Sequence, residues 1–103
     1  MIRVVIIPPD APAYTAEIKN ELRRMQAVVG GYIETVRLTD GIMAVCNKEG
    51  RINKLKDNWR LPGFVGTVFL ISSEAGPDGE MLGLDRGTAE NWVQCVNCGV
   101  LTR

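Results

Sequence analysis

The chain is built of short apolar runs separated by polar breaks rich in glycine and proline, and the spacing inside each run predicts its element. From Arg3 to Ile7 the β-branched residues Val4, Val5, Ile6 and Ile7 follow one another without polar alternation. That is the pattern of a strand covered on both faces, and so of a central place in a sheet. Pro8, Pro9 and Pro12 then force an extended connection. Beyond it Thr15 is placed to cap a helix, with Glu17 and Glu21 near its positive end, and Ile18, Leu22, Met25 and Val28 or Val29 recur at helical spacing. The predicted helix runs from Ala16 to Val29 and stops at Gly30-Gly31, a left-handed C-cap. A glycine pair that cradled a phosphate would precede a helix rather than follow one.

Tyr32 to Leu38 alternates as a strand, Asp40-Gly41 is a hairpin signal, and Ile42 to Cys46 is the returning strand. Asn47 to Gly50 makes a second turn. Arg51 to Leu61 scatters Ile52, Leu55, Trp59 and Leu61 among charged residues and reads as an irregular loop, closed by Pro62-Gly63. Phe64 to Ile71 predicts a strand beside the first, with Gly66 marking a bulge or a close backbone approach. Ser72 to Gly87 holds four glycines and is read as a mobile surface excursion. Thr88 caps a last short helix through Trp92, Val93 and Val96. The expected architecture is α+β: an antiparallel or mixed sheet of four or five strands, the first helix packed on one face and the terminal helix at its edge.

A length of 103 residues, 46% apolar and 23% charged, is the size and composition of one globular domain spanning residues 1–103. Twelve basic and twelve acidic side chains cancel, so no overall field attracts nucleic acid, and a direct nucleic-acid ligand is disfavoured. The opening apolar run is too short for a signal core or a membrane span, and three cysteines do not make a disulfide framework. Both observations place the protein in a reducing cytoplasm, away from the membrane.

Histidine is absent, which removes Ser-His-Asp and Cys-His nucleophile systems and the zinc enzymes that rely on imidazole ligands. The remaining carboxylates show no catalytic spacing, so no enzyme and no resident cofactor is expected. Cys95 and Cys98 form a Cys-x-x-Cys that can serve as a zinc half-site, for which Cys46, a carboxylate or a second subunit would have to complete the coordination. Redox chemistry of the thioredoxin kind places such a pair at the start of a helix, whereas this one follows the terminal helix. Trp59 and Trp92 are read first as core packing, with an interface anchor as the other reading.

Three stretches in order, Val29-Gly30-Gly31-Tyr32-Ile33-Glu34, then Cys46-Asn47-Lys48-Glu49-Gly50-Arg51-Ile52-Asn53 with Leu55 and Asn58, then Gly66-Thr67-Val68-Phe69-Leu70-Ile71, resemble the domain-of-unknown-function family 3846. The resemblance runs from the first strand to Ile71, and the Cys-x-x-Cys tail departs from it. It implies a small protein of phages, plasmids or conjugative elements, and no catalytic residues come with it. Small non-enzymatic proteins of mobile elements often disable a host factor, CRISPR nucleases among them, so the leading expectation is an anti-CRISPR-like inhibitor of a bacterial defence complex. The expected partner-binding residues are Lys48, Glu49, Arg51, Lys54, Trp59 and Arg60, on the turn at Asn47 to Gly50 and the loop at Asn53 to Arg60, joined by the excursion at Ala75 to Gly87. Two alternatives are a protein that sequesters a signalling nucleotide, with Tyr32 or Trp59 stacking on the base, and an accessory DNA-binding module. Self-association is left open.

Overall fold

The structure, a computed structural model, describes residues 1–99. Five strands form one antiparallel sheet: β1 (Ile2–Ile7), β2 (Tyr14–Ile18), β3 (Ile33–Thr39), β4 (Ile42–Asn47) and β5 (Val68–Ser72), in the spatial order β2-β1-β5-β4-β3. Two helices complete the fold, α1 (Leu22–Val29) and α2 (Arg86–Asn97). The α+β expectation holds, and β5 pairs with β1 as its apolar run predicts.

The sheet is covered on both faces. Because neighbouring residues of a strand point to opposite sides, β1 sends Val4 and Ile6 into one cluster and Val5 and Ile7 into another. The first cluster is closed by Met25 and Val29 of α1, the second by Ala89 and Val96 of α2 with Trp92 and Val93 beside them. This is the unalternating pattern of Arg3 to Ile7 realised in space. It also corrects the position of α2, which lies across a face of β1 and β2 rather than at the sheet's edge. Its residues Ala89, Trp92, Val93 and Val96 repeat at helical spacing and need a broad apolar surface, which only a face offers.

The predicted helix from Ala16 to Val29 is two elements. Residues Tyr14–Ile18 form β2, paired with β1 from Ile2↔Ile18 to Ile6↔Tyr14, and the helix begins only at Leu22. Without β2 the outer backbone groups of β1 would lack partners, and satisfying them outweighs a helical start. Thr88 is likewise not the cap of α2. Asp85 is, and its carboxylate accepts from the Thr88 N–H at 2.8 Å and the Thr88 hydroxyl at 3.0 Å. Those two bonds hold the Asp85 carboxyl below its ordinary pKa. The far end of α2 is fastened by Asn97, which donates to the Ala13 carbonyl at 3.0 Å and accepts the Ala13 N–H at 2.7 Å.

Candidate functional site

Residues 48–66 form a braced platform beside the sheet: Arg51 to Leu61 is irregular as expected, while residues 64–66, read in sequence as the start of a strand, belong to the platform because β5 begins only at Val68. Asn58 is its hub, only 3% exposed. Its amide donates to the carbonyls of Ile7 at 2.9 Å and Gly66 at 3.0 Å, and its carbonyl accepts the N–H groups of Arg60 and Leu61, each at 3.1 Å. All the hydrogen-bonding capacity of one side chain is thus spent on backbone groups of the loop and of the last residue of β1. Asn47 does similar work at the other end, donating to the Val29 carbonyl at 3.2 Å and accepting the Glu49 N–H at 2.8 Å.

Packing between these two amides depends on glycine. A Cβ on Gly50 would meet Val65 at 2.8 Å, and one on Gly66, where φ is +72°, would meet Leu55 at 2.8 Å. The platform is also tied to the proline-rich connection: the Trp59 N–H donates to the Pro9 carbonyl, the Arg60 guanidinium to the Ala11 carbonyl, and Lys56 pairs with Asp10 at 2.9 Å. The Lys56 hydrogen bond and charge lower the Asp10 pKa from its ordinary value.

The structure brings all six expected partner-binding residues, Lys48, Glu49, Arg51, Lys54, Trp59 and Arg60, onto this one platform. Their roles differ. Arg51 donates to the Gly63 carbonyl at 2.7 Å and Arg60 to Ala11 at 3.0 Å, so both cations brace the loop. Lys48 and Glu49 are exposed, and Lys54 stands at a left-handed turn with φ of 57°. Trp59, read first as a core residue, is 70% exposed, whereas Trp92 packs half-buried against the α2 face of the core. Ile52 was absent from the expected set and is 78% exposed. The only signal for it in the sequence is an isolated apolar residue among charged ones, without helical or strand spacing. The third expected segment does not join the platform. Residues 75–82 bond to themselves, to Asn20 and to Ser72.

A groove of 370 Å³ runs between the platform and β3, lined by Glu34 and Val36 of the strand and by Lys48, Arg51, Ile52 and Phe64. Cys46 lies at its floor, where burial and the neighbouring Glu34 carboxylate push the thiol pKa up. Cys95 and Cys98 are exposed on the last turn of α2, and among the described residues no group of three or more Cys, Asp or Glu side chains converges on a metal position. Cys46 therefore does not complete their coordination. At the opposite edge of the sheet a smaller cleft is lined by Arg3, Thr15, Glu17, Arg86 and Glu90, its two cations matched by two carboxylates.

The family model described as Domain of unknown function (DUF3846) matches residues 2–96. The chain belongs to this family. No curated protein and no solved structure matches it. The stretches through which the DUF3846 resemblance was read include Gly31, Asn47, Gly50, Leu55, Asn58 and Gly66, which are the residues that hold the platform together. What they specify here is the shape of the loop; of the exposed side chains it displays, Lys48, Glu49 and Ile52 lie within the same stretches, and Lys54 and Trp59 lie outside them. No helix among the described residues is long and apolar enough to cross a membrane.

Proposed function

We propose that this protein is a non-enzymatic binding protein that acts by direct contact with another protein through the 48–66 platform, and that its target is a bacterial defence complex of the CRISPR nuclease type. The observation that carries the reading is Trp59, 70% exposed on a segment whose backbone is pinned on all sides. Large aromatic side chains dominate the energy of protein interfaces, and a loop ordered before binding loses less entropy when it docks. Ile52 adds a second exposed apolar anchor, and Lys48, Glu49 and Lys54 supply a charged rim. The target class rests on the mobile-element setting that the family resemblance implies, in the bacterial cytoplasm, and is an analogy of context.

Nucleotide sequestration ranks second, because the cleft that offers Arg3 and Arg86 also offers Glu17 and Glu90 and so has no net charge for a phosphate. DNA binding ranks below it on the chain's zero net charge. The test is plasmid transformation into bacteria carrying one active CRISPR nuclease at a time. The protein should restore transformation against at least one nuclease of the panel, and the Trp59→Ala/Ile52→Asp double variant, folded by circular dichroism, should not. Full protection by the folded double variant, or none by the wild type against the whole panel, would overturn the reading.

A further inference from the structure

β3 is an edge strand, and the side of it that faces away from β4 has no strand partner among the described residues. The geometry identifies which backbone groups are left over. The Lys48 N–H donates to the Tyr32 carbonyl at 2.8 Å, so residues 32 and 48 are a hydrogen-bonded pair. Such pairs alternate along an antiparallel ladder, which makes Glu34↔Cys46 and Val36↔Ala44 the next two. The N–H and C=O groups of Ile33, Thr35 and Arg37 therefore point outward. Proteins usually blunt an edge of this kind with charged side chains, proline or a bulge, and between Ile33 and Arg37 this one carries only the charges Glu34 and Arg37. The stretch from Ile33 to Arg37 contains no proline or glycine, and the one register shift falls beyond it, between Arg37 and Thr39. Glu34, Thr35, Val36 and Arg37 are all exposed.

We propose that this edge pairs with the β3 edge of a second copy, antiparallel and centred on Thr35, so that the two sheets become one. In that register Ile33, Thr35 and Arg37 of one copy meet Arg37, Thr35 and Ile33 of the other, and every outward donor and acceptor is used. No like charges stand directly opposite, since Thr35 meets Thr35 and Glu34 meets Val36. A register centred on Arg37 would set two guanidinium groups against each other, which is unfavourable. Two further observations favour a second copy over a foreign strand. The chain carries no net charge, so copies do not repel. Val36 is exposed on the edge strand, one position from the pairing axis, so pairing covers an apolar side chain on both copies at once.

The proposal is independent of the platform reading, because the dimer is measured with no partner present. Sedimentation equilibrium of the purified protein should give twice the 11.3 kDa chain mass at its highest soluble concentration. Thr35→Lys, which sets like charges on the axis, should weaken association about fivefold. Thr35→Pro removes an outward N–H while leaving the bonds to β4, and should give a folded monomer. Thr15→Lys, the same charge change on β2 at the opposite edge of the sheet, should leave the dimer unaltered. A monomeric wild type would overturn the proposal. So would a dimer indifferent to both Thr35 substitutions, one weakened equally by Thr15→Lys, or one dissolved by a chelator, which would place the joint at Cys95 and Cys98.

Discussion

Residues 48–66 and residues 73–81 are both long, glycine-bearing connections without regular structure, yet they are built on opposite principles. The first buries Gly50, Asn58, Leu61 and Gly66, and an amide side chain at its centre satisfies four backbone groups. The second buries nothing. It is held by an isolated bridge between Ala75 and Met81 and by short bonds within its own turn, such as the Gly76 N–H to the Glu80 carbonyl. Irregular backbone is costly to bury unless its polar groups are matched, so a loop becomes a fixed surface only when some interior group matches them. Asn58 is that group here. A tryptophan displayed at residue 59 is held in place, whereas a side chain at residue 77 or 78 is not.

Removing that interior group should be the largest effect. Asn58→Ala strands the carbonyls of Ile7 and Gly66 and the N–H groups of Arg60 and Leu61 in a site closed to water. We expect a loss of about 3–4 kcal/mol in urea unfolding, a large part of the stability of a domain this size. Asn58→Asp should be at least as harmful, because it removes both donors and turns a carboxylate towards two carbonyl oxygens. No comparable position exists in 73–81, where Glu80→Ala removes one exposed hydrogen bond to Asp78 and should change stability by less than about 0.5 kcal/mol. Equal losses from Asn58→Ala and Glu80→Ala would abolish the distinction between the two loops.

A narrower comparison uses two glycines with the same backbone. Gly66 has φ of +72° and Gly79 of +79°, so alanine bears a similar conformational penalty at each, about 1–2 kcal/mol. Only Gly66 has a neighbour in the way: its added methyl would fall 2.8 Å from Leu55 Cδ1, while nothing lies within 4 Å of the same position on Gly79. Gly66→Ala should therefore cost about 1–2 kcal/mol more than Gly79→Ala by thermal unfolding, and the excess measures how tightly the platform is packed. Leu55→Ala combined with Gly66→Ala should recover part of it.

The sequence made most of the sheet legible. Unalternating β-branched residues in β1, the Asp40-Gly41 turn and the run at Val68 to Ile71 each depend on local chemistry, and local chemistry is visible in one dimension. β2 was hidden because Ile18, Leu22, Met25 and Val29 happen to fall at helical spacing, although Tyr14, Ala16 and Ile18 also alternate. What decides between the two patterns is the open edge of β1, a fact about another segment. Asn58 was harder still. One of its partners, Ile7, lies 51 positions away, and no periodicity marks an asparagine whose task is to satisfy distant carbonyls. That Lys48, Glu49 and Lys54 are exposed on the platform is legible, because charge on a loop is a surface signal. Its two exposed apolar residues are less legible: Trp59 reads first as core packing, and Ile52 carries no spacing signal, because exposure of an apolar side chain is a property of the folded surface alone.

The smallest expected effect is also the one that separates display from architecture. Trp59→Ala takes a large side chain off the braced loop, but that side chain is mostly in solvent, and the residue's structural bond runs through its backbone N–H to Pro9, which alanine keeps. Stability in urea should change by no more than about 0.5 kcal/mol, against the several expected for its neighbour Asn58. The protection of transformation should nevertheless fall. If Trp59→Ala instead lost more than about 1 kcal/mol, the indole would have to be packing over Pro62 and Phe64, which line the same shallow depression. It would then be part of the brace, and Ile52 alone would remain as the apolar anchor offered to a partner.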